Sequence, residues 1–541
     1  MPEKALAVRQ IAVGAVFALG LAALLAALAL PLRSFYVFYA GLYDGRLPAL
    51  AFIAATLALM AAAFAAAGRG VQPSTRSSIP LLFVAAVALA LITAKWVLSA
   101  FANSADEYAF VFQALTYASG RLWNPAPPLG QALASDFTWV RGEYWAGQYP
   151  PGWPILLSLA ELVRVPLWAV NALVEGGTLV ALAWLVQREA GEAAASPALA
   201  FFALAPFTIF TAASFHSHML AAALIVLAAL SALRMLETRS LAWAAATGSL
   251  VGLVATTRYI AAPLALAPIV AALLSRRGTR KPALLLALLA GGAPFLAILL
   301  AYHAAITGDP LKPAYWLAGH VVDRLYFDWP SIESGLRLTR DRLIELSLWT
   351  SPAVLPLWLA ALWTKLRSRS FAFYDAVFPL FVLVFVFYPF DGGNRFGPRY
   401  YFDAWPLLVA SIATALPHLD LSRRALFRGA LILGAVYGLV SWPFLAVRYH
   451  AIVAERNDLY DQVAQMKLDK AVVFVKADTG VMLPMTCDDL ARNGIDAAGP
   501  VLYARCDLTD PDAVAAAFPE RSVWIYTRDH DVVRGTLTRV R

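Results

Sequence analysis

Apolar blocks of about twenty residues recur along the first 450 residues of this sequence. A block of that length, folded as a helix, crosses roughly 30 Å of hydrocarbon. The chain of 541 residues is 60% hydrophobic and only 14% charged, whereas about 25% of the residues in a soluble domain are charged. The pattern therefore predicts an α-helical polytopic membrane protein, and it excludes an ordinary soluble enzyme and a disordered chain.

About thirteen transmembrane helices are predicted from these blocks. Their ranges are 11–32, 49–67, 79–100, 166–186, 197–214, 218–235, 241–257, 260–275, 282–302, 350–364, 371–390, 402–416 and 429–447. The first block is longer than the apolar core of a cleavable signal peptide, which has about 7–15 residues. Because further blocks also follow it, we interpret it as a retained transmembrane helix.

Lysine and arginine residues are concentrated in every second loop between the predicted helices. Cytoplasmic loops of membrane proteins are enriched in these residues. If the N-terminus is cytoplasmic, the following basic residues all lie on the cytoplasmic side of the membrane: Lys4, Arg9, Arg69, Arg76, Arg188, Arg234, Arg239, Arg276, Arg277, Arg280, Lys281, Lys365, Arg367, Arg369, Arg423, Arg424 and Arg428. Much of the net charge of +8 therefore follows from membrane topology and does not indicate nucleic-acid binding.

Two long segments, 101–165 and 303–349, lie on the opposite, extracytoplasmic side in this topology. We refer to them as the first and second outer segments. Each contains a predicted interfacial helix, at 152–163 and 331–348. A short apolar stretch of 10–14 residues is more often interfacial than membrane-spanning, and a stretch that mixes charged and apolar residues can also lie at the membrane surface.

The composition changes after the last predicted helix. Residues 448–541 contain β-like runs at 471–476, 501–505 and 523–527, with helical segments at 451–467 and 511–518. This alternation predicts a small extracytoplasmic α/β domain, 448–541, that follows a membrane domain, 1–447. Both cysteines, Cys487 and Cys506, fall in the second domain. A disulfide and two unrelated buried thiols are both compatible with the sequence.

Two adjacent carboxylates, Asp106 and Glu107, follow the third predicted helix on the outer side. A carboxylate near a low-dielectric boundary can act as a general base, but the same pair could simply favour the N-terminus of the next helix. Arg258, Arg395 and Arg399 lie on the same side, and arginine binds phosphate through a planar fork. The combination suggests an anionic substrate and a base, although Arg258 could also snorkel to the lipid headgroups.

Histidine and tyrosine residues complete the set of candidate substrate-binding residues. His216 and His218 lie at another outer turn, and His303 begins the second outer segment. Residues two apart on a helix do not face each other, so packing or a hydrogen bond to substrate is favoured over a metal-binding pair. Three tyrosines are further candidates: Tyr149, Tyr259 and Tyr400. The sequence has no GxxxxGK[ST] motif, so ATP-driven transport by this chain alone is not predicted.

These motifs together resemble bacterial GT-C glycosyltransferases, in particular the protein O-mannosyltransferase and aminoarabinose-transferase-like group. The similarity covers residues 79–450 and rests on the Asp106–Glu107 pair, the run Tyr149–Pro154, Arg258, Gly308–Pro310 and Gly397–Tyr401. The acidic loop usually follows the first helix in that family, whereas here it follows the third. An even number of additional helices preserves the side on which the loop lies.

The resemblance implies a GT-C fold and a reaction on the extracytoplasmic face of the cell (inner) membrane. The donor would be a polyprenyl-phosphate sugar, and the acceptor hydroxyl would belong to a glycan, a lipid or a protein. Asp106 would be the general base, with Glu107 as second choice, and Arg258, Arg395 and Arg399 would hold the leaving phosphate. A single displacement would invert the anomeric carbon. No nucleotide is implied, and the use of a divalent metal is left open.

Two other functions are compatible with the sequence. A transporter or flippase of a lipid-linked sugar often has two repeated halves with Gly- or Pro-broken helices, and such halves are not visible here. A non-catalytic membrane assembly protein would use 448–541 as its binding module, but it would leave the outer carboxylates and arginines unexplained. The long outer segments and short inner loops favour chemistry at the outer face.

Overall fold

The computed structural model describes residues 78–276, 280–318, 325–390, 396–477, 487–528 and 534–540. The first two predicted transmembrane helices, 11–32 and 49–67, lie outside these residues, as does the candidate site residue Arg395. The described part is mainly α-helical and contains two small sheets.

The α-helices are α1 Ser78–Ile92, α2 Ala105–Ala118, α3 Gly152–Leu162, α4 Val170–Ala190, α5 Glu192–Leu204, α6 Pro206–Ala213, α7 His218–Thr238, α8 Leu241–Thr257, α9 Ala261–Ser275, α10 Lys281–Thr307, α11 Trp329–Trp349, α12 Val354–Arg367, α13 Val377–Val384, α14 Trp405–Thr414, α15 Leu421–Gln465, α16 Cys487–Leu490 and α17 Pro511–Ala517. The strands are β1 Asn124–Pro125, β2 Thr138–Arg141, β3 Tyr144–Gly147, β4 Ala471–Ala477, β5 Val501–Arg505, β6 Ser522–Arg528 and β7 Thr536–Arg539.

Five helical segments are long and apolar enough to cross a membrane. They are Ile79–Val97, Leu167–Ala190, His218–Thr238, Lys281–Thr307 and Leu421–Gln465. Two bent pairs, α5 with α6 at 58° and α11 with α12 at 102°, raise the number to seven within the described residues if each pair is one span. The total of thirteen spans stays a prediction.

Several predicted spans are interrupted in the structure. The predicted helix 197–214 breaks at Ala205, whose backbone is extended, because a residue before proline is disfavoured in the helical region and Pro206 then begins α6. The predicted helix 371–390 contains α13, which has 8 residues and is flanked by 3₁₀ turns. At about 1.5 Å per residue, α13 alone is far shorter than the hydrocarbon layer.

The membrane helices pack through small side chains and aromatic rings. The main core is formed by residues of α4, α5, α6, α7, α14 and α15. The pair α8 and α10 approaches most closely at Gly248 and Gly291, where a Cβ atom would lie 1.8 Å from the Leu288 carbonyl oxygen and 2.0 Å from the Ala245 carbonyl oxygen, respectively. Such close packing over glycine is common between membrane helices.

The first outer segment contains α2, a small sheet and α3. Strands β1, β3 and β2 make an antiparallel sheet in that order, and the predicted interfacial helix 152–163 is α3. The second predicted interfacial helix, 331–348, corresponds to α11. A bend of 102° separates α11 from α12, so the two helices run in very different directions.

The C-terminal residues form a four-stranded mixed sheet in the order β5-β4-β6-β7, in which β7 alone is antiparallel to its neighbour. The predicted helix 451–467 is not a separate element, because α15 runs unbroken for 45 residues from Leu421 to Gln465. A helix of that length extends about 68 Å, more than twice the hydrocarbon thickness. It therefore connects the membrane helices directly to the C-terminal sheet.

The C-terminal sheet packs against the first outer segment. Phe112 and Trp145 share a buried cluster with Val472, Phe474 and Leu502. The two regions consequently lie on the same side of the helical bundle. The Sγ atoms of Cys487 and Cys506 are 2.8 Å apart in this C-terminal region and belong to free thiols, and the disulfide stays a prediction.

Candidate active site

Asp106 and Glu107 both lie in the first turn of α2. The N-cap of this helix is Ser104, whose Oγ accepts a hydrogen bond from the Glu107 backbone N–H at 3.2 Å. Neither carboxylate is therefore needed as the cap, although both lie where negative charge favours a helix N-terminus. The two side chains differ in their contacts and in their exposure to solvent.

The Asp106 carboxylate lies between a tyrosine and an arginine. The Tyr149 hydroxyl donates a hydrogen bond to Asp106 Oδ1, and Arg399 Nη2 is 3.5 Å from Asp106 Oδ2. The Asp106 side chain keeps 19% of its surface exposed. It is thus accessible to a substrate and lies in contact with a fixed positive charge.

The Glu107 carboxylate is completely buried. Its Oε2 accepts a hydrogen bond from the Phe215 backbone N–H at 3.2 Å. Its Oε1 lies 3.4 Å from His216 Nε2 and accepts a 3.4 Å hydrogen bond from Ser104 Oγ. These contacts connect α2 to the turn that precedes α7, so the geometry gives Glu107 a supporting position.

His216 lies between Glu107 and Arg399. Arg399 Nη1 is 3.3 Å from His216 Nε2. The turn that carries His216 is held by Asn171, whose side-chain N–H groups donate to the carbonyl oxygens of Ser214 and His216 at 2.7 and 2.8 Å. His216 therefore orients the guanidinium group that contacts Asp106.

A second ion pair lies beside the first. Arg258 Nε donates to Asp403 Oδ2 at 2.7 Å, and His218 Nδ1 lies 2.8 Å from Asp403 Oδ1. The rings of His216 and His218 are 5.9 Å apart, so the two pairs are adjacent. Because His216 precedes α7 and His218 begins it, the expectation that residues two apart on a helix face different ways does not apply to this pair. The Arg258 charge is shared with Asp403, a residue that was not among the predicted site residues.

Aromatic side chains form one wall of the site. The Tyr315 ring packs edge-on against Tyr149 at 5.5 Å and against Tyr259 at 5.8 Å. The Tyr259 hydroxyl lies 2.9 Å from His303 Nε2, which brings the predicted residues Tyr259 and His303 into the same cluster. Burial, and then the nearby Asp106 carboxylate, raise the pKa of Tyr149 well above its usual range. Tyr149 is therefore a protonated hydrogen-bond donor.

Tyr400 has a packing role. Its ring stacks on Phe385 at 5.2 Å with an interplanar angle of 5°. The guanidinium carbons of Arg342 and Arg399 lie 5.4 and 5.8 Å from its centre, a distance typical of cation–π contacts. Tyr400 thus supports Arg399 from the side.

Two residues of this cluster were missed in the sequence. Tyr315 lies in the second outer segment, where several aromatic residues occur, and no motif distinguishes it from the others. Asp403 had a clearer signal, because a carboxylate within a predicted apolar span, 402–416, is costly unless it is paired. Within the described residues, no group of three or more His, Cys, Asp or Glu side chains has a metal-binding arrangement.

No protein-family model matches the sequence, and no curated protein matches it. Solved structures do match. ArnT from Cupriavidus metallidurans in the apo state is 15% identical, with 86% of this chain and 98% of that chain covered and a TM-score of 0.54. The same protein bound to undecaprenyl phosphate is also 15% identical, with 85% and 97% covered and a TM-score of 0.50. The chain therefore shares its overall fold with ArnT.

Proposed function

We propose that this protein is a membrane glycosyltransferase that moves a sugar from a polyprenyl-phosphate donor to an acceptor hydroxyl on the extracytoplasmic face. The observation that carries the proposal is the contact between Asp106, a partly exposed carboxylate, and Arg399, a nearly buried guanidinium. The Asp106 carboxylate can accept a proton and the Arg399 guanidinium can bind a phosphate. Both groups lie in the candidate active site. The fold shared with ArnT supports a polyprenyl-phosphate donor, since ArnT was solved with undecaprenyl phosphate bound.

The reaction is a single displacement. Asp106 takes the proton from the acceptor hydroxyl as its oxygen attacks the anomeric carbon from the side opposite the phosphate. The bond from the anomeric carbon to the phosphate oxygen breaks, and polyprenyl phosphate leaves with the electron pair. Arg399 stabilises the negative charge that develops on the leaving oxygen, and the sugar is inverted.

Donor binding would also make Asp106 a better base. The Arg399 charge lies against the Asp106 carboxylate, and a neighbouring positive charge favours the ionised form of a carboxylic acid. A donor phosphate would compete for the same guanidinium group. Asp106 would then lose part of its counter-charge and bind a proton more readily, which couples donor binding to base strength.

The remaining residues receive supporting roles in this proposal. Glu107 is fully buried and holds the turn at Phe215 and His216, so Asp106 is preferred as the base. Arg258, paired with Asp403, contributes a further positive charge near the phosphate, and Arg395 is proposed for the same role from the sequence. Tyr149 orients Asp106 through its hydrogen bond. Tyr259, Tyr400, His218 and His303 would shape the sugar and phosphate subsites.

A divalent metal is not needed in this scheme, because the arginines neutralise the leaving phosphate. We therefore expect activity to persist in EDTA. A rate that falls with EDTA and returns with Mg²⁺ or Mn²⁺ would show that a metal assists.

The proposal is tested by comparing lipid-linked sugars and envelope glycans between a strain that lacks this protein and its parent. The deletion strain is expected to accumulate one polyprenyl-phosphate sugar and to lack one glycan modification. The parental gene should restore the product, and a gene carrying Asp106→Asn should not. A flippase would instead show normal transfer to acceptor once the donor is supplied at the outer face.

A further inference from the structure

The C-terminal domain contacts the chain immediately before the helix that carries Asp106. Arg492 Nη1 donates a hydrogen bond to the Ala102 carbonyl oxygen, and Arg456 Nη1 donates to the Asn103 carbonyl oxygen at 2.8 Å. These two carbonyl groups directly precede the N-cap residue Ser104. The contacts join parts of the chain that are 390 and 353 residues apart.

A carboxylate joins the two arginines. Asp489 Oδ2 is 2.8 Å from Arg456 Nη1, and Asp489 Oδ1 is 2.6 Å from Arg492 Nη2. The three side chains are at most 9% exposed. Paired charges in such a dry setting have well-defined geometry, and removing one partner leaves a buried charge uncompensated. We call Arg456, Asp489 and Arg492 the buried triad.

Residues just before and within the first turn of α2 have further contacts with the same region. The Arg492 guanidinium lies 4.8 Å from the Phe101 ring centre and 5.4 Å from that of Tyr108. The Tyr108 hydroxyl donates to the Asn493 carbonyl oxygen. Residues on both sides of Asp106 and Glu107, from Phe101 to Tyr108, are therefore held by the C-terminal domain.

We propose that the buried triad is a set of positioning residues for the reaction: it fixes the start of α2 and thereby aims the Asp106 carboxylate at the reacting hydroxyl. This inference rests on the proposed function. The carboxylate lies three residues after Asn103, so a shift of the helix start moves it directly. Displacement of a catalytic group by about 1 Å can cost about 100-fold in rate.

A second buried network in the same domain provides the matched control. Asp458 Oδ2 accepts hydrogen bonds from the Tyr526 hydroxyl at 2.9 Å and from the Gly535 backbone N–H at 2.8 Å. Tyr526 is completely buried, and these bonds stay within the C-terminal domain and the end of α15. Tyr526→Phe should therefore weaken the domain without releasing α2.

The experiment compares Asp489→Asn with Tyr526→Phe in the full-length protein. For Asp489→Asn we expect faster hydrogen–deuterium exchange at residues 105–109, a kcat lower by roughly 10–100-fold, and a donor KM within about threefold of the parent. Tyr526→Phe should change neither the exchange nor kcat. Arg492→Lys, which keeps the charge but loses the fork, replaces Asp489→Asn if that variant fails to fold.

Two results would overturn the positioning role. One is exchange at residues 105–109 that is no faster in Asp489→Asn than in Tyr526→Phe. The other is faster exchange with an unchanged kcat. Failure of the proposed function is distinguishable, because it would appear as an absence of glycosyl transfer in the parent protein, while the exchange measurement would still show whether the triad holds α2.

Discussion

Two ion pairs, one at each end of the helical bundle, differ in the distance between their charges and in their exposure to solvent. On the predicted cytoplasmic side, Lys365 Nζ lies 2.6 and 2.8 Å from the Asp375 oxygens and 2.7 Å from Thr414 Oγ1. Lys365 and Asp375 are 1% and 0% exposed. At the candidate site, the Arg399–Asp106 distance is 3.5 Å and Asp106 is one-fifth exposed.

The difference distinguishes an enclosed structural pair from a pair that a ligand can reach from solvent. The Lys365–Asp375 pair has short N–O distances, is buried, and has Thr414 as a third partner. A new ligand would therefore have to displace existing hydrogen bonds. The Arg399–Asp106 pair is longer and reaches solvent, so a phosphate or a hydroxyl can compete for either member. We therefore expect mutations at the first pair to change stability and those at the second to change activity.

The largest expected effect is that of Asp106→Asn on the rate. This change removes the proposed base with little change in volume, and a general base contributes about 10²–10⁴-fold. The melting temperature of the purified protein should stay near that of the parent. Glycosyl transfer measured with the lipid donor would test this, and activity within threefold of the parent would exclude Asp106 as the base. Glu107→Gln should have a milder effect on the rate.

The second largest effect is expected on stability, at the Lys365–Asp375 pair. Lys365→Met leaves Asp375 buried without its cation, so we expect the free energy of unfolding to fall by about 3–5 kcal/mol. Specific activity per folded molecule should be unchanged. Arg367→Met, at an exposed position on the same helix, serves as the control in thermal melts. A Lys365→Met protein with normal stability and reduced activity would reverse our assignment of the two pairs.

Arg399→Lys should reduce kcat/KM for the donor by an intermediate amount. Lysine keeps the charge but cannot contact Asp106, His216 and a phosphate through one planar fork. The loss of a hydrogen bond to a charged group is worth about 1.5–3 kcal/mol, which corresponds to roughly 10–150-fold in kcat/KM for the donor. Arg337→Lys, at a residue that is 65% exposed, should be neutral. Unchanged donor kinetics in Arg399→Lys would mean that Arg399 does not bind the phosphate.

Tyr149→Phe should give the smallest of these effects, a modest decrease in kcat. It removes one hydrogen bond to Asp106, which is worth about 0.5–1.5 kcal/mol, or roughly 2–13-fold in kcat. Because the pKa of Tyr149 is raised well above its usual range, this donor stays protonated as the pH rises. The ratio of parent to variant rates should therefore be constant from about pH 6 to pH 10. Tyr144→Phe, at an exposed tyrosine of the same segment, should match the parent, and a pH-dependent ratio would show that Tyr149 itself titrates.

Much of the candidate site was predictable from the sequence because its members are charged residues next to apolar blocks. Asp106, Arg258 and Arg399 were recognisable since a charge at a membrane boundary needs a partner or a function. Their pairing was not predictable. Arg399 contacts Asp106 and His216, whereas Arg258 contacts Asp403, and these partners lie 145 to 293 residues apart in the chain.

The sequence alone determined that this chain crosses a membrane several times and where three of the four described C-terminal strands lie, because hydropathy and alternation are local properties. Only the tertiary structure decided which carboxylate is accessible. Asp106 and Glu107 are neighbours with the same chemistry, yet one borders a solvent-accessible cluster and the other is enclosed by Ser104, Phe215 and His216. Adjacent residues on a helix point about 100° apart, and what each one meets depends on elements far away in the sequence.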